Sequence, residues 1–291
     1  MTCEVMTYTA NDFKTDLKPV WCPGCGDFAV LNSVYRALAE LGCAPHETVI
    51  VSGIGCSSRL PGYVETYGFN SLHGRALPIA TGAKLAAPKL NVIAVGGDGD
   101  GIAIGGNHFL HAARRNVDLT YIMMDNEIYG LTKGQAGPTT PEGDKTKSTA
   151  YGNPDAAVDP CALAIMLGAS WVGRAFSGDV KGTAELMKKA IRHHGFAFLN
   201  VISPCVTWRG DHQSKELRAK MKNLPADYDP TQREAALRFT DEHDALTVGV
   251  LYETARPSLL DHLQQIERRA IGDRSRPQMS DILAVFKPAA A

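Results

Sequence analysis

The chain has 291 residues, enough for one large or two modest domains, and its 44% apolar content can build a sizeable core. A net charge of −1 supplies no field that would draw it to nucleic acid or to an anionic membrane. No apolar stretch reaches the roughly 18–20 residues of a spanning helix, and the opening MTCEVMTYTANDFK lacks the basic-then-apolar order of a secretory signal, so the cytoplasm is the expected compartment. The seven cysteines, an odd number, argue against a disulfide framework.

In chain order, Asp27 caps a helix whose apolar positions Val30, Leu31, Val34, Tyr35, Leu38 and Leu41 recur at helical spacing, and Gly42 ends it. Residues 48–51 read as a strand, 76–87 as a helix and 91–95 as a strand. A helix follows over 105–115, a strand over 118–124, a helix over 157–168, a strand over 170–175, a helix over 180–194 and a strand over 197–202. This alternation predicts an α/β fold with a mostly parallel sheet and helices on both faces. Ligands in such sheets sit at the carboxyl ends of the strands. Residues 132–155 are polar and rich in Gly and Pro, too long for an ordinary connection, and read as a functional loop. After Trp208 the pattern turns charged and irregular, so residues 1–208 read as one domain and 209–291 as an extension wrapping it or a partner.

The run Gly96-Gly97-Asp98-Gly99-Asp100-Gly101 directly follows the apolar strand at 92–95. Glycines around an aspartate at a strand end allow close backbone approach to a ligand while a carboxylate faces it. The spacing fails the dinucleotide fingerprint, since Ile102 or Ile104 stands where its last glycine would be, and no Lys-Ser or Lys-Thr follows as in a P-loop. A diphosphate held through a metal remains. Asn126 follows the next strand, so adjacent parallel strands would bring Asp98 and Asn126 to one edge. A carboxylate, an amide oxygen and a backbone carbonyl, completed by phosphate oxygens and water, make the octahedral oxygen shell of Mg²⁺. A helix opening near Gly105 is expected to aim its N–H groups at the same diphosphate.

Trp21-Cys22-Pro23-Gly24-Cys25-Gly26 opens a helix, as a redox dithiol does, but no core strand precedes it. It lacks the second CxxC of a common zinc site, and an iron–sulfur site needs two more thiolates. Cys56 lies just past the 48–51 strand and Cys205 just past the 197–202 strand, at the edge that holds Asp98 and Asn126. Spacing alone leaves a [4Fe–4S] cluster and zinc both open. Cys43 and Cys161 read as buried structural cysteines and Cys3 as part of a tail.

Taken together, WCPGCGD at 21–27, SGIGCSSRLPGY at 52–63, LHGRALPIATGAKLA at 72–86, GGDGDGIAIGGNHFLHAARRN at 96–116, DNEIYGLTKGQ at 125–135 and TTPEGDKTKSTAYGNP at 139–154 resemble the thiamine-diphosphate-binding β subunit of the 2-oxoacid:ferredoxin oxidoreductases. The likeness runs in order from about residue 20 to 208, and TDEHDALTVGVLYETARP at 240–257 is similar to the family's tail. The resemblance implies the thiamine-diphosphate-binding fold with a C-terminal extension. It implies Cys22, Cys25, Cys56 and Cys205 as ligands of a [4Fe–4S] cluster, and Asp98, Asn126 and the carbonyl of Ile128 as ligands of Mg²⁺. Ile54, Gly55, Cys56, Ser57, His73, Gly97, Gly99, Asp100, Gly130 and Leu131 would contact thiamine diphosphate.

The implied reaction is the reversible, coenzyme A-dependent oxidative decarboxylation of a 2-oxoacid, with electrons leaving singly through the cluster to ferredoxin. Implied partners are an α subunit, with a fused or accompanying γ domain, in an α2β2 assembly. Arg59 and Lys133 flank site motifs and are candidates for binding the substrate carboxylate or coenzyme A, and two cations suit a dicarboxylate such as 2-oxoglutarate. Pyruvate or a broad range of 2-oxoacids is the alternative. A cluster-free thiamine diphosphate decarboxylase subunit and a zinc-bearing interaction module are the rival classes.

Overall fold

The computed structural model describes residues 7–210, 212–241, 246–271 and 278–286. Its sheet is assembled from β1 (Thr48–Ser52), β2 (Tyr67–Asn70), β3 (Asn91–Gly96), β4 (Leu119–Asp125), β7 (Trp171–Phe176), β8 (Phe196–Ile202), β9 (Met221–Asn223) and β10 (Leu246–Glu253). A separate two-stranded ribbon pairs β5 (Ile128–Tyr129) with β6 (Gln135–Ala136). The sheet order is β2-β1-β3-β4-β8-β7-β10-β9. The strands from β2 through β7 run parallel, whereas β10 lies antiparallel to β7 and carries β9 parallel to itself.

The central strands are buried along their whole length, as parallel strands covered on both faces must be. Their side chains alternate between two cores. Ile50, Ile93, Val95, Ile122 and Met124 pack against α1 (Asp27–Leu41) and α5 (Val180–Arg192). Val49, Val51, Val92, Ala94, Tyr121 and Met123 pack against α2 (Ala76–Ala86), α3 (Gly106–Arg115) and α4 (Pro160–Met166). Gly42, at φ +66°, ends α1 in the left-handed conformation that glycine adopts freely. Asp159 caps α4, accepting from the N–H of Ala162 at 2.8 Å, with Pro160 in the first turn.

Residues 209–291 add α6 (His212–Lys220), β9, α7 (Arg233–Thr240), β10, α8 (Leu259–Ile271) and α9 (Met279–Val285). This segment therefore extends the sheet itself through β10. Of the family-like stretch at 240–257, residues 242–245 lie outside the described residues. Among the described residues no helix is long and apolar enough to cross a membrane.

Two local expectations change. The helix expected to open near Gly105 begins earlier: Asp98 already has helical dihedrals, a π turn spans Gly99–Ile104, and α3 continues from it. The helical turn thus starts within the GDGD run itself. Residues 67–70, not anticipated as a strand, form the exposed edge strand β2.

Candidate functional site

The parallel register brings the ends of β1, β3, β4 and β8 side by side: Ser52 pairs with Val95, Gly96 with Met123, and Asp125 with Ile202. Above them opens a cleft. Its walls include Ile54, Gly55, Cys56, Ser57, His73, Gly97, Asp98, Gly99, Asp100, Asn126, Ile128, Gly130 and Leu131, so these expected residues meet in one place. Asp27, Met124, Tyr129 and Thr132 join them, although no sequence motif singles them out as site residues. Arg59 and Lys133 do not line the cleft; both are exposed.

Asp98 is 2% exposed. Thr139 Oγ1 stands 3.0 Å from Asp98 Oδ2 and 2.8 Å from Asp125 Oδ1. One hydroxyl hydrogen therefore faces two buried carboxylates. Burial, and then the neighbouring Asp125, push the Asp98 carboxyl well above its usual range, and burial raises Asp125 as well. A divalent cation against Asp98 would reverse that electrostatic logic. Asn126 lines the cleft beside it, with Oδ1 accepting the N–H of Ile128 at 3.1 Å in an Asx turn. The polar loop folds onto this edge: Thr140 Oγ1 donates to the carbonyl of Glu127 and Asn153 Nδ2 to the carbonyl of Thr140. The sequence marks this loop as functional, but nothing in its composition singles out Thr139.

Asp100, also buried, organises the cleft walls. Its Oδ1 accepts the N–H groups of Ile54 at 2.9 Å and Gly74 at 2.8 Å, and meets His73 Nδ1 at 2.7 Å. Gly53 is required for this: a Cβ there would stand 1.9 Å from Asp100 Oδ2. Gly99 is likewise confined, since a Cβ would meet the Tyr129 ring at 2.2 Å.

Two features fit a diphosphate. Ser57 Oγ is buried at the cleft wall with no hydrogen-bond partner in the protein. A Cβ on Gly97 would meet Ser57 Oγ and the Met124 carbonyl at 3.7 Å, so no protein atom requires glycine at this point of the cleft wall. Asp98, Asn126 and the Ile128 carbonyl supply hard oxygen donors suited to Mg²⁺.

Three cysteine-bearing loops are laced together beside the cleft. The turn from Cys22 to Cys25 closes with a 3.0 Å backbone hydrogen bond. Trp21 Nε1 ties it to the carbonyl of Cys56 at 2.8 Å. On the β8 side, Gly26 donates to the carbonyl of Pro204 at 3.3 Å and Ser203 Oγ to Asp27 at 2.8 Å. Burial, then the nearby Asp27, push the Cys25 thiol far up and the Cys56 thiol to about 11. Cys25 also feels Cys56 and Cys205, and Cys56 feels Cys205 and Cys22. Burial raises Cys205 too, opposed by N–H groups of Trp208 and Thr207 directed at its sulfur. Burial lifts Asp27 to about 6.

The four thiols are thus electrostatic neighbours. Among the described residues, however, no three His, Cys, Asp or Glu side chains are drawn together as the ligand set of a single ion. Thiolate ligands would have to lose their protons on loading, and the N–H donors at Cys205 favour its charged form. Cys161 is fully buried and Cys43 half-buried, away from this edge, while Cys3 lies outside the described residues.

The family model described as thiamine pyrophosphate enzyme, C-terminal TPP binding domain, matches residues 53–201, and the model for the C terminal of the pyruvate ferredoxin oxidoreductase beta subunit matches 205–268. The chain is 42% identical over 268 residues to a 2-oxoacid:ferredoxin oxidoreductase subunit beta of Aeropyrum pernix, covering 88% of this chain and 87% of the relative. It is 44% identical over 220 residues to a 2-oxoglutarate synthase subunit of Archaeoglobus fulgidus, covering 75% and 80%. Among solved structures, a chain of the 2-oxoglutarate:ferredoxin oxidoreductase from Magnetococcus marinus, with 2-oxoglutarate, coenzyme A and succinyl-CoA bound, superposes with a TM-score of 0.93 at 41% identity, over 98% of each chain. A parallel sheet matched by the thiamine pyrophosphate binding domain model, and relatives that match the chain along most of their length, place it in the family of 2-oxoacid:ferredoxin oxidoreductase β subunits.

Proposed function

We propose that this protein, together with an α subunit, carries out the reversible conversion of 2-oxoglutarate, coenzyme A and two oxidised ferredoxins into succinyl-CoA, CO₂, two reduced ferredoxins and a proton. The observation that carries this reading is Cys56. It lines the cleft and is at the same time an electrostatic neighbour of Cys22 and Cys205 and acts on Cys25. A redox centre at these thiols would adjoin the cleft that receives the cofactor. The Archaeoglobus and Magnetococcus proteins support 2-oxoglutarate as substrate by their names and bound ligands.

When bound, thiamine diphosphate supplies a nucleophilic carbon and an electron sink for decarboxylation. Asp98, Asn126 and the Ile128 carbonyl would hold its diphosphate through Mg²⁺, with Ser57 as a donor to it. Met124, Ile54 and Leu131 give the cleft apolar walls. Cys22, Cys25, Cys56 and Cys205 would hold the [4Fe–4S] cluster, which takes electrons one at a time as Zn²⁺ cannot. Arg59, close enough to pull the Cys56 thiol down, and Lys133 would face the substrate carboxylates or coenzyme A when the α subunit has docked over the site.

Ile54, Leu72, Ile104 and Leu131 leave an exposed apolar rim for that subunit, with α2β2 as the assembly. Residues 1–208 would form the cofactor-binding unit and 209–291 the extension that wraps it or the partner, in a cytoplasmic enzyme.

The test is an anaerobic assay of the purified α–β complex with 2-oxoglutarate or pyruvate, coenzyme A and ferredoxin or a viologen, beside iron and sulfide analysis. The expected result is about four irons and four sulfides per β chain and reduction of the acceptor that depends on 2-oxoglutarate. Equal rates with pyruvate would replace the substrate assignment with a broad-range one. Absence of iron and sulfide would leave a cluster-free decarboxylase. Zinc with no binding of thiamine diphosphate would leave an interaction module.

A further inference from the structure

The diphosphate loop and the cysteine loops meet at three side chains that the chemistry above leaves unused. These are Glu127, Arg209 and Gln213. Glu127 sits between Asn126 and Ile128 in the left-handed region, at φ +59°, where a non-glycine residue rests only when its surroundings hold it there. Its Oε2 accepts from Arg209 Nη2 at 2.9 Å and from Gln213 Nε2 at 3.1 Å. Gln213, 4% exposed at the start of α6, turns its other end to the neighbouring loop, and its Oε1 accepts the N–H of Cys205 at 3.0 Å.

Arg209 closes the triangle. Its own N–H donates to the carbonyl of Cys205 at 3.0 Å, and its second guanidinium branch reaches Asp144 in the polar loop. The Arg209 N–H thereby closes the 205–209 turn that presents the Thr207 and Trp208 N–H groups to the Cys205 sulfur. One buried amide thus spends its donor on the metal loop and its acceptor on the cysteine turn. Moving either loop leaves a buried polar group unpaired, which neighbouring groups in a low-dielectric network resist together.

We propose that Gln213, with Glu127 and Arg209, is a positioning residue that locks the Cys205 turn to the 126–128 loop, so that each cofactor site tunes the other. This rests on the reading of a metal-held thiamine diphosphate beside a cluster.

The test uses the anaerobic α–β complex and two measurements besides turnover. One is the cluster's midpoint potential, followed by electron paramagnetic resonance. The other is the Mg²⁺-dependent affinity for thiamine diphosphate, followed by protein fluorescence. The wild type is measured first: if it lacks iron or does not bind thiamine diphosphate, the underlying reading fails. With both in place, Gln213→Leu should keep full iron and sulfide, because all four thiols remain. It should raise the dissociation constant of thiamine diphosphate about tenfold, the range seen when supporting groups of metal ligands are removed. It should also move the midpoint potential to a more negative value, as the N–H groups at the Cys205 sulfur loosen. Arg209→Lys, which loses the fork reaching both Glu127 and Asp144, should shift both quantities in the same direction with about threefold weaker binding. If Gln213→Leu does not assemble, Arg209→Lys is decided by the same criterion. A change in one quantity without the other, or in neither, overturns the proposal.

Discussion

The two edges of the parallel sheet treat their carboxylates in opposite ways. At the amino edge, Asp118 meets Lys84 Nζ at 2.8 Å and His194 at 3.7 Å, and His194 in turn meets Asp261 of α8 at 2.7 Å. At the carboxyl edge, Asp98 and Asp125 face each other across one threonine, and burial pushes both carboxyls up. The first arrangement compensates its charges and fastens a helix. The second makes the charged forms of two buried carboxyls costly, a condition that a bound cation relieves. Function is therefore read where the electrostatics are unbalanced, and structure where they are settled.

The comparison breaks first at its strongest point. Asp98→Ala should abolish Mg²⁺-dependent binding of thiamine diphosphate and lower 2-oxoacid turnover by about a thousandfold or more, since several kcal/mol of metal-derived stabilisation are lost. Its iron and sulfide content should stay at the wild-type level. Cys25→Ala should do the reverse, losing iron and acceptor reduction while still binding thiamine diphosphate, at an affinity altered by the coupling between the two sites. Metal analysis with fluorescence titration of both variants checks this. If Asp98→Ala still binds thiamine diphosphate at wild-type affinity, the carboxyl edge is not the metal site. Next in size, Thr139→Val removes the hydroxyl between the two carboxylates. Thiamine diphosphate affinity should fall about tenfold, the scale for a group that orients a metal ligand. Unchanged affinity would mean that Thr139 only fills space.

Gly53→Ala tests the packing at the same edge. Its Cβ would stand 1.9 Å from Asp100 Oδ2, and the displaced carboxylate anchors Ile54, His73 and Gly74. Overpacking of this kind costs about 1–3 kcal/mol, so the Tm of the variant should fall by several degrees, roughly 2–4 °C per kcal/mol for a domain of this class. A Tm equal to the wild type's would show that the Asp100 cradle is pliant.

Much of this edge was legible in the chain. β1, β3, β4 and β8 are buried on both faces, so they read as short β-branched or apolar runs, and the residues just beyond them become the site by topology alone. β2 was not legible because Tyr67-Gly68-Phe69-Asn70 is an exposed edge strand with no buried face to impose alternation. β10 was hidden for a related reason: much of it is only half-buried, and its pairing with β7 is interrupted by a bulge between Val250 and Tyr252. The π turn ahead of α3 is not legible because the glycines from Gly96 to Gly101 give no periodic signal. Thr139 and Gln213 escaped because their roles depend on partners distant in sequence, Asp98 and Asp125 for the one and Glu127 and Cys205 for the other.

The smallest effect belongs to the settled edge and sharpens the contrast by its pH dependence. Asp261 accepts from His194 and from the N–H of Ser258 at 2.7 Å, and these bonds, His194 first, hold its carboxyl down to about 2. A carboxylate whose folded value lies below its unfolded value of about 4 adds stability that is complete above that pH and disappears as the pH falls through the folded value. Because Asp261 is more than a third exposed, solvent screening keeps the contribution to a few tenths of a kcal/mol, about the lower range for a surface pair. Asp261→Asn should therefore lower stability slightly at pH 5 to 6, with the difference from wild type closing as the pH approaches about 2. Urea unfolding followed across that range measures it. A difference that persists at the acid end would mean that Asp261 fastens α8 by shape and neutral hydrogen bonds, and that the amino edge is settled by packing instead of charge.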